Sequence, residues 1–177
     1  MMKNSELFVW KLWDGAHLPE YGSEWAACFD LKASLRGYNN GCGDAVVVYN
    51  QTNTKSNRRI TAENYITLYS NERMLIPTGV IFDLREGESL RIHPRSGLSL
   101  KSGIVLANCE GVVDADYVNQ TYVMLHNISD ISYRIWDGDR IAQGEIISVQ
   151  QVMITQSDRE PESKTNRQGG FGSTGVK

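Results

Sequence analysis

Hydrophobic positions in this chain come in short runs rich in β-branched and aromatic residues, at Leu7 to Leu12, Ala45 to Tyr49, Tyr65 to Tyr69, Val80 to Leu84 and Ile141 to Val149. Others alternate with polar residues, as in Leu90-Arg91-Ile92-His93 and Ile131-Ser132-Tyr133-Arg134-Ile135. Alternation of period two turns one face of a strand inward, and the three-to-four spacing of an amphipathic helix is poor almost everywhere. Turn formers punctuate the runs: Gly41-Cys42-Gly43, Pro77-Thr78-Gly79, Glu86-Gly87-Glu88 and Asp137-Gly138-Asp139. Many short strands at close spacing predict an all-β sandwich or barrel.

Two stretches depart from that pattern. Residues 50–64, NQTNTKSNRRITAEN, are strongly polar and read as a surface loop or hairpin excursion. Residues 155–177 hold one aromatic residue and one Val, too little apolar surface to order alone. The chain therefore divides into a β-domain over 1–154 and a flexible C-terminal arm over 155–177. The arm contains Gly169-Gly170-Phe171-Gly172-Ser173-Thr174-Gly175. This is either an incidental Phe in a loose tail or a segment that orders over a ligand, with Phe171 stacked on a ring.

Composition narrows the function. The 177 residues are 41% hydrophobic and 22% charged, ordinary values for a globular protein and enough for one core. Eighteen basic against twenty-one acidic residues leave a net charge of −3, so no general pull on nucleic acid or anionic membrane is expected. No apolar run approaches the roughly 18 residues of a membrane span, and charges interrupt the N-terminal stretch where a signal peptide needs apolar residues. Cys28, Cys42 and Cys109 form no CxxC pair, and His17, His93 and His126 are scattered singly, so neither a disulfide framework nor a zinc site is expected. A reducing cytoplasm is the expected location.

Three short segments carry candidate chemistry. In Pro94-Arg95-Ser96-Gly97 a strand meets a Gly turn, and Arg, Ser and a close backbone suit phosphate oxygens, although an ordinary turn reads the same way. Asp114 and Asp116 in Gly111-Val112-Val113-Asp114-Ala115-Asp116-Tyr117 share one strand face, able to bind a metal, activate water or simply face solvent. Gly138-Asp139-Arg140-Ile141-Ala142-Gln143 opens a strand.

Taken in order with the Gly-rich arm, and with Ala27-Cys28-Phe29-Asp30-Leu31 upstream, these segments resemble the five motifs of the trimeric dUTPase family. The resemblance runs from about Leu7 to Gly175. It implies a distorted jelly-roll β-barrel, assembled as a homotrimer with the C-terminal arm exchanged between subunits. It also implies Mg²⁺-dependent hydrolysis of dUTP to dUMP and pyrophosphate, limiting uracil in DNA and supplying dUMP for thymidylate synthesis.

Residue by residue, the resemblance makes Asp114 the activator of the attacking water and places Tyr117 under the deoxyribose, where a 2′-hydroxyl would collide. Because positions three apart face opposite ways on a strand, the segment must bend, as a β-hairpin around the nucleoside would. Asn108 matches a uracil contact, and the hairpin backbone would read uracil against cytosine. Arg95, Ser96 and Gly97 match phosphate contacts, Gln143 a phosphate or water contact, and Asp30 a carboxylate on the metal side acting through water. From the arm, Arg167 would clamp the γ-phosphate while Phe171, Gly172 and Ser173 close over the uracil.

The departures are specific. Cys28 replaces the usual Gly of the first motif, Asn166 stands where the arm's Arg is usual, with Arg167 one residue later, and Val118-Asn119 replaces Arg-Gly or Gln-Gly after Tyr117. Extra length over about 38–64, including Arg58-Arg59, is either decorative or an interface for a protein partner. Two other readings compete with the hydrolase. A related dCTP deaminase fits the residues after Asp114 less well, and a nucleotide-sensing interaction protein would use the insertion on a partner.

Overall fold

The computed structural model describes residues 6–38 and 45–166. Among them fourteen strands and one short helix follow in order. They are β1 (Phe8–Lys11), β2 (Glu20–Tyr21), β3 (Phe29–Lys32), β4 (Ala45–Tyr49), β5 (Lys55–Arg59), β6 (Tyr65–Leu68) and β7 (Arg73–Pro77). Then come β8 (Val80–Asp83), β9 (Glu88–His93), α1 (Ser96–Ser102), β10 (Ile104–Leu106), β11 (Gly111–Asp114), β12 (Tyr122–Asn127), β13 (Tyr133–Trp136) and β14 (Arg140–Ser148). The hydrophobic runs are these strands, to within a residue or two at their ends.

The strands form two five-stranded antiparallel sheets, ordered β10-β12-β7-β4-β5 and β11-β9-β14-β3-β2, with two-stranded pairs β1-β8 and β6-β13. Sequence neighbours mostly lie in different sheets, as in a jelly roll, the β2-β3 and β4-β5 pairs excepted. Alternate residues therefore point into a shared core. Leu31, Val46, Val48, Ile66, Leu68, Met74, Ile76, Phe82, Leu90, Leu125 and Ile135 are all buried there. Gly144 leaves room for side chains of its neighbours in the same sheet, since a Cβ on it would lie 2.8 Å from Phe29 and 2.9 Å from Leu90.

The polar stretch 50–64 is a hairpin excursion, with a turn at Asn50–Thr54 and β5 paired to β4 from Ala45↔Arg59 to Tyr49↔Lys55. The neighbouring β4 is not decoration. It pairs with β7 and buries Val46 and Val48, so part of the extra length is core. Arg58 fastens the hairpin from the far side: it donates to both carboxylate oxygens of Glu72 and to the Thr67 carbonyl at 2.7 Å, and lies over the Tyr69 ring.

The expected Gly turn at Pro94-Arg95-Ser96-Gly97 is corrected to a helix start. Arg95 is extended (φ −92°), its carbonyl accepts from the Leu98 and Ser99 N–H groups, and α1 runs to Gly103, left-handed at φ 64°. No residue of α1 is buried, and seven residues are too few to express a helical period.

Candidate active site

At the end of β9, Pro94 and Arg95 lie beside the start of β14 and the middle of β3. Arg95 Nε binds Asp30 Oδ1 at 2.9 Å and Arg140 Nη1 binds Asp30 Oδ2 at 3.2 Å, while Arg95 Nη1 donates to the Arg140 carbonyl. Gln143 is paired across the sheet with both Asp30 and His93, and its Nε2 donates to the Pro94 carbonyl at 3.1 Å. A sequence-distant set (Asp30, Arg95, Gln143) is thus one cluster. A cavity of about 360 Å³ opens beside it, lined by Arg95, Gly97, Leu98, Lys101, Tyr133 and Arg140 among others. Ser96 and Gly97 are exposed next to it, and Gly97 has open space where a side chain would stand. Three cations against Asp30 and Asp139 make this a place for phosphate oxygens.

Asp30 bears on metal binding. Both its oxygens are engaged by guanidinium groups, and among the described residues no cluster of three or more His, Cys, Asp or Glu side chains is arranged to hold a metal ion. Asp30 is thus held by two cations in this structure and is not poised as a direct metal ligand.

Asp114 ends β11, exposed. The Tyr117 N–H donates back to the Asp114 carbonyl at 3.1 Å, which supplies the expected bend. As a result Asp114 and Tyr117 line one cavity of about 310 Å³ with Leu75, Val112, Val113, Thr121 and Tyr122. Burial, with Tyr122 nearby, raises the Tyr117 pKa above its ordinary value, and its hydroxyl donates to the Gln120 carbonyl at 2.9 Å. The expected β-hairpin is corrected: β11 pairs with β9, β12 pairs with β7 and β10, and residues 115–121 cross between the two sheets.

Asn108 is not among the residues lining this cavity. It lies exposed in the turn before β11, beside Cys109, whose φ of 61° is unusual for a residue other than Gly or Asn. Glu110 anchors that turn, with Arg91 Nη1 at 3.2 Å and His93 Nδ1 at 3.6 Å, while His93 Nε2 meets Glu145 at 3.0 Å. Cys28, in the first motif, is partly buried; burial, then the Glu145 charge, raises its pKa. Arg167, Phe171, Gly172 and Ser173 lie outside the described residues.

The register separates the two cavities. Asp114 stands opposite Ser89 and Gln143 opposite His93, so Asp114 is at one end of β9 and the Arg95 cluster is past the other. At about 3.3 Å per residue, the four steps from Ser89 to His93 alone span about 13 Å. Sequence reasoning had not singled out Arg140, Lys101 or Thr121. Arg140 was legible inside the Gly138–Gln143 segment; the other two have no local signal.

The dUTPase family profile matches residues 59–175. Curated relatives include deoxyuridine 5'-triphosphate nucleotidohydrolases of Hydrogenobaculum sp., 36% identical over 97% of this chain and 99% of theirs, and of Rhizobium leguminosarum bv. trifolii, 36% identical over 92% and 88%. Among solved structures, the dUTPase of Staphylococcus bacteriophage 80alpha with dUPNHPP superposes with a TM-score of 0.73 at 22% identity, covering 98% of this chain and 100% of that one. The dUTPase of Streptococcus mutans gives 0.62 at 23% identity, covering 82% and 98%. At these identities the structural likeness establishes the fold.

Proposed function

The chain belongs to the dUTPase family and is a dUTP nucleotidohydrolase, and from that premise we propose that it cleaves dUTP to dUMP and pyrophosphate at sites shared between the copies of a homotrimer. The observation that carries the shared site is the spacing along β9. Asp114 and Ser96 must both approach the α-phosphorus, yet one chain holds them at opposite ends of a strand, with about 13 Å between Ser89 and His93 alone. A second copy presenting its Asp114 cavity to the Arg95 cluster brings them together. The arm residues Arg167, Phe171, Gly172 and Ser173 close the same site.

In this mechanism the deoxynucleoside lies in the Asp114–Tyr117 cavity, its sugar over the Tyr117 ring. Asp114 accepts a proton as a water oxygen attacks the α-phosphorus; the bond to the bridging oxygen breaks and pyrophosphate leaves with its electrons. Arg95, Arg140 and Lys101 meet the phosphate oxygens, while Ser96 and Gln143 fix their direction. Asp30 keeps Arg95 and Arg140 in place before substrate arrives. Bound Mg²⁺, carried by the triphosphate, supplies charge neutralisation at those oxygens. Fixed donors and cations do most of the work, because the transition state mainly redistributes negative charge.

Asp114→Asn tests the assignment. It keeps the shape and removes the base, so dUTP binding stays near wild type and pyrophosphate release falls at least ~10²-fold. Near wild-type turnover would remove Asp114 from this role.

A further inference from the structure

Tyr133 opens β13 and turns the same way as Ile135, the fully buried residue two positions on. Its ring is half-buried, packs against the core and forms one wall of the cavity beside the Arg95 cluster. The hydroxyl has different surroundings. Among the described residues it makes no hydrogen bond, and it is not one of the buried unpaired atoms, which are Trp13 Nε1, Arg91 Nε, Gln120 Nε2 and Thr121 Oγ1. It therefore reaches solvent. That solvent is on the cavity side, since Asp139 and Arg95, the two charges that act on its ionisation, are both cavity walls. Burial first, and then Asp139, raise its pKa above the ordinary value, with Arg95 offsetting part of the rise. At neutral pH the group is thus a proton donor.

Nothing in the fold uses that hydroxyl, and the cavity around it is short of committed anions. Arg95 and Arg140 are tethered to Asp30, and Asp139 Oδ2 accepts the Trp136 N–H at 2.8 Å. Lys101, in the last turn of α1, has no ion pair among the described residues. The Tyr133 hydroxyl and the Lys101 ammonium are therefore uncommitted donors in a space where three cations meet one lining carboxylate, Asp139. The cavity also has a direction. It runs beside α1 from Gly97 to Lys101, and at 1.5 Å per residue Lys101 lies about 7.5 Å along the helix axis from Ser96. With the α-phosphate at Ser96, this is the space into which the rest of a triphosphate runs.

We propose that the Tyr133 hydroxyl is a specificity-determining contact that donates a hydrogen bond to a β- or γ-phosphate oxygen of dUTP, so that the cavity beside α1 favours a triphosphate over a monophosphate. This rests on the reading that Ser96 meets the α-phosphate. A nucleotide that ends at the α-phosphate, such as dUMP, does not reach the contact.

Tyr133→Phe removes the hydroxyl and keeps every other atom of the ring. The full-length protein, with Mg²⁺, is titrated with the non-hydrolysable analogue α,β-imido-dUTP and separately with dUMP, with thermal unfolding alongside. The variant is expected to unfold at or near the wild-type temperature and to bind dUMP within about twofold of wild type. It binds the analogue about 5–20-fold more weakly, the scale of one hydrogen bond to an anion. Unchanged affinity for the analogue overturns the proposal. An equal loss for both ligands also overturns it, because the effect then lies at the nucleoside or in the fold. A variant that fails to fold does the same, since the hydroxyl then serves the core. A wild-type protein that neither releases pyrophosphate from dUTP nor binds the analogue overturns the proposed function and this inference together, whereas an active wild type with an unaltered Phe variant overturns this inference alone.

Discussion

Asp137 sits in the turn before β14 and does structural work beside the phosphate cluster. Its Oδ1 accepts the N–H groups of Leu35 and Arg36 at 2.7 and 2.9 Å, and its Oδ2 meets His17 Nε2 at 3.2 Å. Burial opposes the charged carboxylate, but the Arg36 and Leu35 N–H groups and the His17 ring outweigh it and hold the pKa below its ordinary value. A depressed carboxyl stabilises the fold above its unfolded pKa of about 4, and that contribution is lost as pH falls through the folded value. Asp137→Asn therefore lowers the unfolding temperature by several degrees at neutral pH. The gap to wild type shrinks below pH ~4, where melting curves across pH check it. Asp30 is a related case: the sequence marked a carboxylate, and only the fold showed it held between two distant arginines, Arg95 at the cap of α1 and Arg140 at the start of β14.

The hairpin of β4 and β5 is the clearest case in which an element changes meaning on folding. Its outer strand is polar and lies at a sheet edge, which the composition of residues 50–64 anticipates. Its inner strand buries Val46 and Val48, and the Arg58–Glu72 pair pins the two to the body. Burial raises the Glu72 pKa, yet the hydrogen bonds from Arg58 and the Tyr69 N–H prevail and leave it lowered. Arg58→Ala leaves that carboxylate buried without its cation, the Tyr69 N–H still donating to it, at a cost of roughly 3 kcal/mol, toward the low end for a buried pair because the Arg58 side chain keeps 26% exposure. Denaturant titration reads the loss. Helix α1 shows the opposite limit: it escaped the sequence because about two unburied turns leave no apolar stripe to detect.

At the scale of the whole molecule, the proposed sharing of each site between copies predicts that catalysis depends on assembly. Asp114→Asn and Arg95→Ala, each inactive alone, are expected to complement when co-refolded, because a mixed trimer joins an intact Asp114 cavity from one copy to an intact Arg95 cluster from another. Random 1:1 assembly leaves about a quarter of the sites whole, and pyrophosphate release near that fraction of wild type is the expected result. No recovery would place both groups in one chain's site. The all-β class, most strand positions and the motif residues were written locally, because period-two alternation, turn formers and short motifs are properties of neighbouring residues. What only the tertiary structure decided is which of those residues meet. The salt bridges of Asp30, the passage of residues 115–121 between sheets and the separation of Asp114 from the Arg95 cluster along β9 all depend on strand order and register. These are set by how two faces bury one core, over separations that no local pattern encodes.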